Sequence, residues 1–333
     1  MKKLFFIFCV SVFCYTEIYA QQWEPVNNTI TGEILTATVF KSNLYVFSLQ
    51  EKSISIYKKQ DKDFVMAGEI RFDSIQPLLN FTTGVNYVYI ALNYPKNNES
   101  KIYTWDGIEV KIISPDSPTT ESFESFIEYK GMLFLSGNFL REIDYRIMQW
   151  DGKEWKLIGT PEDFWGPGVL FTYKDILYCI LNDSYSQNAS VYSYDGTSWK
   201  RVLKNKAAIQ EVFAITEYND QVFLFEGTNN RYFVFDGKKL SEKSCTLKFD
   251  NYGYTPYCLK NFKGKLFLGG QFWSEIETSL CVIYFDGKKW NAAGNGIRSR
   301  IASIVEFEGS LYIFGSLDSS GEIILNNIAR YKE

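Results

Sequence analysis

The chain has 333 residues with 35 Lys and Arg against 39 Asp and Glu, a formal net charge of −4. That acidic balance excludes the electrostatic footprint of a nucleic-acid or anionic-membrane binder, and 46% hydrophobic with 17% aromatic residues excludes a disordered chain. There is no histidine, so Ser-His-Asp and Cys-His nucleophile systems and His-ligated zinc, copper or iron are excluded in their usual forms.

Residues 1–20, MKKLFFIFCVSVFCYTEIYA, join Lys2 and Lys3 to an apolar run ending Ile18-Tyr19-Ala20, the form of a secretory signal cleaved before Gln21. The run is short for a membrane span and Glu17 interrupts its end. Val12-Phe13 ahead of Cys14 lacks the small residues of a lipoprotein signal. Residues 21–333 are therefore expected as an exported protein without membrane insertion, periplasmic or extracellular. Four cysteines remain, Cys179, Cys245, Cys258 and Cys281. Disulfides among them and buried free thiols on strands both fit, and the sequence fixes no pairing.

The rest of the chain repeats. An aromatic in a local Leu-Tyr or Leu-Phe pattern recurs at Tyr45, Tyr89, Phe134, Tyr178, Phe223, Phe267 and Tyr312, at alternating spacings of 44 and 45 residues. Within each unit the runs are short, β-branched, aromatic and alternating, as in SLYIFG and KLFLGG, and none has the length or period of a helix. The unit from 168 to 202 divides into four strands, VLFTY, ILYCIL, SVYSY and SWKRV. Asp-Gly pairs at 106, 151, 195, 236 and 286 mark the hairpin between third and fourth strands, read as two-residue type I′ turns with positive φ at both positions. Lys130-Gly131, Lys174-Asp175, Lys263-Gly264 and Glu308-Gly309 mark the first hairpin in the same way.

Four antiparallel strands per 44–45 residues predict a β-propeller. The last unit supplies only three strands, and QQWEPVN at the start of residues 21–333 is a lone fourth-type strand carrying Trp23 where other units carry Trp155, Trp199 and Trp290. Pairing the two would close the ring and cover a sheet edge. One domain results, an all-β, seven-bladed propeller over 21–333.

Units of the form KGKLFLGGQF…VIYFDGKKWNAAG resemble the kelch-related, galactose-oxidase-type propeller repeats of exported bacterial proteins, with Gly-Gly after the second strand and an aromatic-Asp-Gly-x-x-Trp hairpin. The resemblance implies the fold and leaves the function open. The copper chemistry of galactose oxidase does not carry over to a chain without histidine. The hairpin also differs from the Ser-x-Asp-x-Gly-x-x-Trp box of sialidases. No metal or cofactor is expected.

Six tryptophans occupy third or fourth strands, at 23, 105, 150, 155, 199 and 290, and their expected role is to fill space between blades. Trp165 in PEDFWGPG, with Asp163 and Phe164, and Trp273 in GQFWSEIE, with Glu275, lie instead on connections that emerge on one face of the ring. NFLREIDYR, with Phe139, Arg141 and Glu142, and GIRSR from Gly296 belong to the same face. These side chains suit the apolar faces and hydroxyls of sugar rings, although both tryptophans would also serve as local cores beneath their loops. The expected function is non-catalytic binding of a glycan or protein partner on that face by a monomer. The alternatives are a polysaccharide hydrolase or lyase using carboxylates, Tyr or Arg there, and a structural module of a cell-surface assembly.

Overall fold

The computed structural model describes residues 22–72, 78–94, 99–114, 122–138, 145–159, 161, 168–182, 188–205, 209, 212–227, 231–245, 255–271, 281–294, 296, 297 and 299–332. In chain order the strands are β1 (Gln22–Pro25); β2 to β5 (Glu33–Phe40, Asn43–Leu49, Ser53–Gln60, Asp63–Arg71); β6 to β9 (Leu78–Thr83, Val88–Tyr94, Glu99–Trp105, Val110–Ile112); and β10 to β13 (Ser122–Tyr129, Met132–Asn138, Tyr145–Trp150, Trp155–Leu157). Next come β14 to β17 (Val169–Tyr173, Ile176–Asn182, Ala189–Tyr194, Trp199–Asn205), β18 to β21 (Val212–Tyr218, Gln221–Glu226, Arg231–Phe235, Leu240–Ser244) and β22 to β25 (Thr255–Phe262, Lys265–Gln271, Val282–Phe285, Trp290–Ala292). The last are β26 (Ile301–Phe307), β27 (Ser310–Gly315), β28 (Ser319–Ser320), β29 (Ile323–Ile324) and β30 (Ile328–Lys332).

Six sheets are consecutive antiparallel meanders of four strands, and the seventh has the order β26, β27, β30, β1. The first strands of neighbouring blades lie against one another around the axis, β6 on β10, β10 on β14, β18 on β22, β22 on β26 and β26 on β2. This is the seven-bladed propeller that the repeat implied. Its closure is also as expected: β1 pairs antiparallel with β30, Trp23 opposite Tyr331. The Trp23 indole N–H donates to the Ala293 carbonyl of blade six at 2.9 Å. Trp155 of blade three makes the equivalent bond to the Ile113 carbonyl, just past the outer strand of blade two.

Hydrophobic clusters straddle the joints between blades. Tyr45 and Phe47 of blade one pack with Val88, Ile90 and Trp105 of blade two, and Phe225 and Tyr232 of blade five pack with Trp290 of blade six. Alternate residues of each second strand thus face opposite neighbours, and each fully buried large apolar side chain contributes about 1.5–3 kcal/mol.

The two hairpin types divide the turn chemistry. Lys174-Asp175 (φ 49° and 59°), Asn219-Asp220 and Lys263-Gly264 carry positive φ at both central positions, the type I′ turn expected of first hairpins. The Asp-Gly hairpins do not. Their glycines, 107, 152, 196, 237 and 287, have φ between 90° and 104°, and the preceding aspartates stay outside the positive region. Each Asp stands at the first corner, its Oδ1 accepting the N–H groups two and three residues on, as Asp151 does from Lys153 and Glu154. Positive φ at the glycine but not at the residue after it rules out the I′ arrangement.

Among the described residues the four cysteines form no disulfide, and burial pushes the Cys179 and Cys258 thiols upward. One element was not foreseen: the segment from Asp318 to Ile324 forms the small β28–β29 hairpin, Ser319 opposite Ile324 and Ser320 opposite Ile323.

Candidate functional site

A four-strand meander places its first and third turns on one face of the ring, and the connections from second to third strands and between blades on the other. Trp165, Phe164, Asp163, Trp273, Glu275, Phe139, Arg141 and Glu142 belong to that second face in sequence and lie outside the described residues. What the structure does show of the face lies around the mouth of the ring.

Five inner strands carry a β-bulge at the same level just below this mouth, between Ile34 and Thr36, Phe123 and Ser125, Val212 and Ala214, Pro256 and Cys258, and Ile301 and Ser303. A bulge inserts one residue, bends the strand and re-aims side chains. Three of the inserted residues are Phe213, Tyr257 and Ala302. Phe213 is 42% exposed and its ring lies over Gly227, where a Cβ would come within 2.2 Å of it. The Tyr257 ring faces the Arg300 guanidinium at 4.7 Å, and Arg300 Nη1 reaches Glu33 at 2.7 Å. Arg300 therefore ties blades six, seven and one together at the mouth, and it belongs to the GIRSR segment assigned to this face. Beside it the Ser299 hydroxyl donates to the Asp318 carboxylate.

Deeper, at the blade-four side of blade five, Glu226 is fully buried and its two carboxylate oxygens receive Arg231. Arg231 also approaches Glu242 at 3.6 Å and lies over the Phe233 ring. Other blades have Ser48, Leu92, Gly137 or Leu181 at the position of Glu226. A buried charge kept by a bidentate partner costs more to break than it contributes to stability, so this pair fixes the geometry of blade five beneath the face.

On the opposite, hairpin face a cleft of about 280 Å³ opens between blades five and six. Tyr218, Tyr232 and Phe285 contribute its floor, and Gln221, Ser241, Lys239 and Lys243 its rim. Tyr232 is held between Phe223 and Phe225, at 5.7 and 4.8 Å with interplanar angles of 13° and 7°, and burial raises its phenol pKa. Asp236 at the edge is held below the usual carboxylate range by the N–H groups of Lys239 and Lys238.

Sequence reasoning missed Phe213, Tyr257, Glu33 and this cleft. The bulges leave a trace, a one-residue slip in the alternation of the first strand. The cleft leaves only a serine at 241 where blades two, three and four have lysine, since its aromatics look like those of every other joint.

No family model matches the chain, and no curated protein matches it by sequence. Among solved structures it is similar to the computationally designed Ika8 protein, with TM-score 0.55 and 11% identity over 93% of this chain and 100% of that one. It is also similar to YCF48 in a structure of YCF48 bound to D1 peptide, with TM-score 0.58 and 13% identity over 93% of this chain and 96% of that one. Likeness at these identities bears on the fold, and both agree with a β-propeller.

Proposed function

We propose that this chain is an exported, non-catalytic propeller of kelch-related type that holds an extended segment of a protein partner across the mouth of the ring. The observation that carries this reading is the row of five bulges at one level. They bring an exposed phenylalanine and an Arg300–Tyr257–Glu33 group to the place where backbone and side chains of a peptide would be met. A cation, an anion and aromatic surface within one patch suit recognition of a peptide carrying both charge and apolar side chains. The absence of histidine supports binding over catalysis, and YCF48, similar in fold, is seen bound to D1 peptide.

The test is selection from a displayed library of extended peptides on residues 21–333, followed by affinity measurements on Phe213→Ala and Arg300→Ala. Selected peptides should bind each variant at least about tenfold more weakly, the loss of one well-placed contact. Peptides that bind wild type and both variants equally, with the fold intact, would sink the proposal.

A further inference from the structure

We infer that the cleft between blades five and six is a second binding site, independent of the mouth, and that it takes a carboxylated sugar ring. The first observation concerns one residue of its rim. Ser241 on β21 stands where the outer strands of blades two, three and four have Lys111, Lys156 and Lys200. Long lysine stems lie along apolar surface and cover it. The shorter Ser241 side chain lines an opening of about 280 Å³ at this joint, near the small end of ligand clefts, which run from about 300 Å³ upward.

The second observation is what lines it. Phe285 is half-buried and offers ring surface, while the Tyr218 and Tyr232 rings behind it are buried and fixed. Tyr218 donates its hydroxyl to the Gly264 carbonyl at 2.8 Å, and Tyr232 is clamped in its aromatic stack, so the floor is preorganised. Ser241 and the Gln221 amide, which also line the cleft, supply neutral donors and acceptors.

The third is charge. Lys243 lines the cleft with no ion pair or hydrogen bond among the described residues, and Lys239 has only Asp236, 3.9 Å away and engaged by backbone N–H groups. Two under-used ammonium groups against one committed carboxylate make the cleft locally cationic on an acidic protein. An apolar ring face, lateral hydroxyls and one carboxylate are the features of a uronic acid residue, free or as a unit of a polysaccharide, and a neutral hexose lacks the last of them.

The test is calorimetric titration of residues 21–333 with glucuronate, with a short oligogalacturonate and with glucose, repeated on Lys243→Glu and on Ser241→Lys, which restores the covering stem. The uronates should bind at least about tenfold more tightly than glucose, and each variant should reduce uronate binding by a similar factor. Binding of free glucuronate would mark a single-ring site, and binding of the oligomer alone would mark a polysaccharide chain as its source. Phe213→Ala, at the mouth, should leave uronate binding unchanged, so failure here is separable from failure of the peptide reading. No uronate binding at millimolar concentration, or binding that both cleft variants retain, would overturn the inference.

Discussion

Three tyrosines ending inner strands act as fasteners between blades. Tyr129 donates to the Asp175 carbonyl, Tyr173 to that of Asp220 and Tyr218 to that of Gly264, each reaching the first turn of the next blade at 2.6–2.9 Å. Blades one, six and seven end in Phe40, Phe262 and Phe307 instead, so the ring packs with or without the hydroxyl. Tyr218→Phe is therefore expected to keep the packing and lose about 1 kcal/mol, the net worth of one hydrogen bond, read as a lower urea midpoint with unchanged slope. A glycine shows the opposite limit. A Cβ on Gly315 would meet the Arg300 carbonyl oxygen at 2.1 Å and the Ala302 nitrogen at 2.9 Å, and backbone cannot give way as a side-chain tip can. Gly315→Ala should cost more than about 2 kcal/mol by overpacking and should disturb the Arg300 group at the mouth. A variant as stable as the parent would show that β26 can shift.

The hairpin is the element whose chemistry depends on pH. Backbone N–H groups from Glu154 and Lys153 hold the Asp151 carboxyl down to about 2, and those of Ser198 and Thr197 hold Asp195 lower still. A depressed folded-state value means that stability from these carboxylates is complete above the unfolded value, about 3.9, and is lost as pH falls from there through the folded value. Acid unfolding should accordingly steepen below about pH 4, and Asp151→Asn should flatten that limb by lowering stability on the neutral side while changing it little near pH 2, as thermal melts from pH 2 to 7 would show. An equal slope in the variant would assign the acid limb to other carboxylates. The hairpins were legible in sequence because glycine and aspartate recur in phase. Their geometry was not, because an Asp that caps the turn with its own side chain and an Asp at the first central position of a type I′ turn can carry the same two letters. The mouth was half legible: GIRSR was assigned to its face, whereas Tyr257 and Phe213 sit on strands whose alternation pattern looks like core.

At the scale of the whole ring, blade number followed from the 44–45-residue spacing and closure from a last unit one strand short with a lone Trp23 strand at the start. The closing strand tests that logic. Without β1, β30 would present a free edge, and the cluster of Cys281, Val282, Ala293 and Tyr331 would lose Trp23, its largest member and fully buried. Truncating such a side chain costs about 3–5 kcal/mol through lost transfer energy and the cavity left behind. The Ala293 carbonyl would also lose its indole donor. Trp23→Ala should therefore destabilise the entire propeller by about that amount, and Trp23→Phe, which keeps most of the apolar volume, by less. Hydrogen exchange should show the loss starting at β30 and β27 and spreading to blade six, because those elements share the joint. If Trp23→Ala melted with the parent and β30 kept its protection, the ring would be held shut by the joints between blades rather than by the strand that completes the last one.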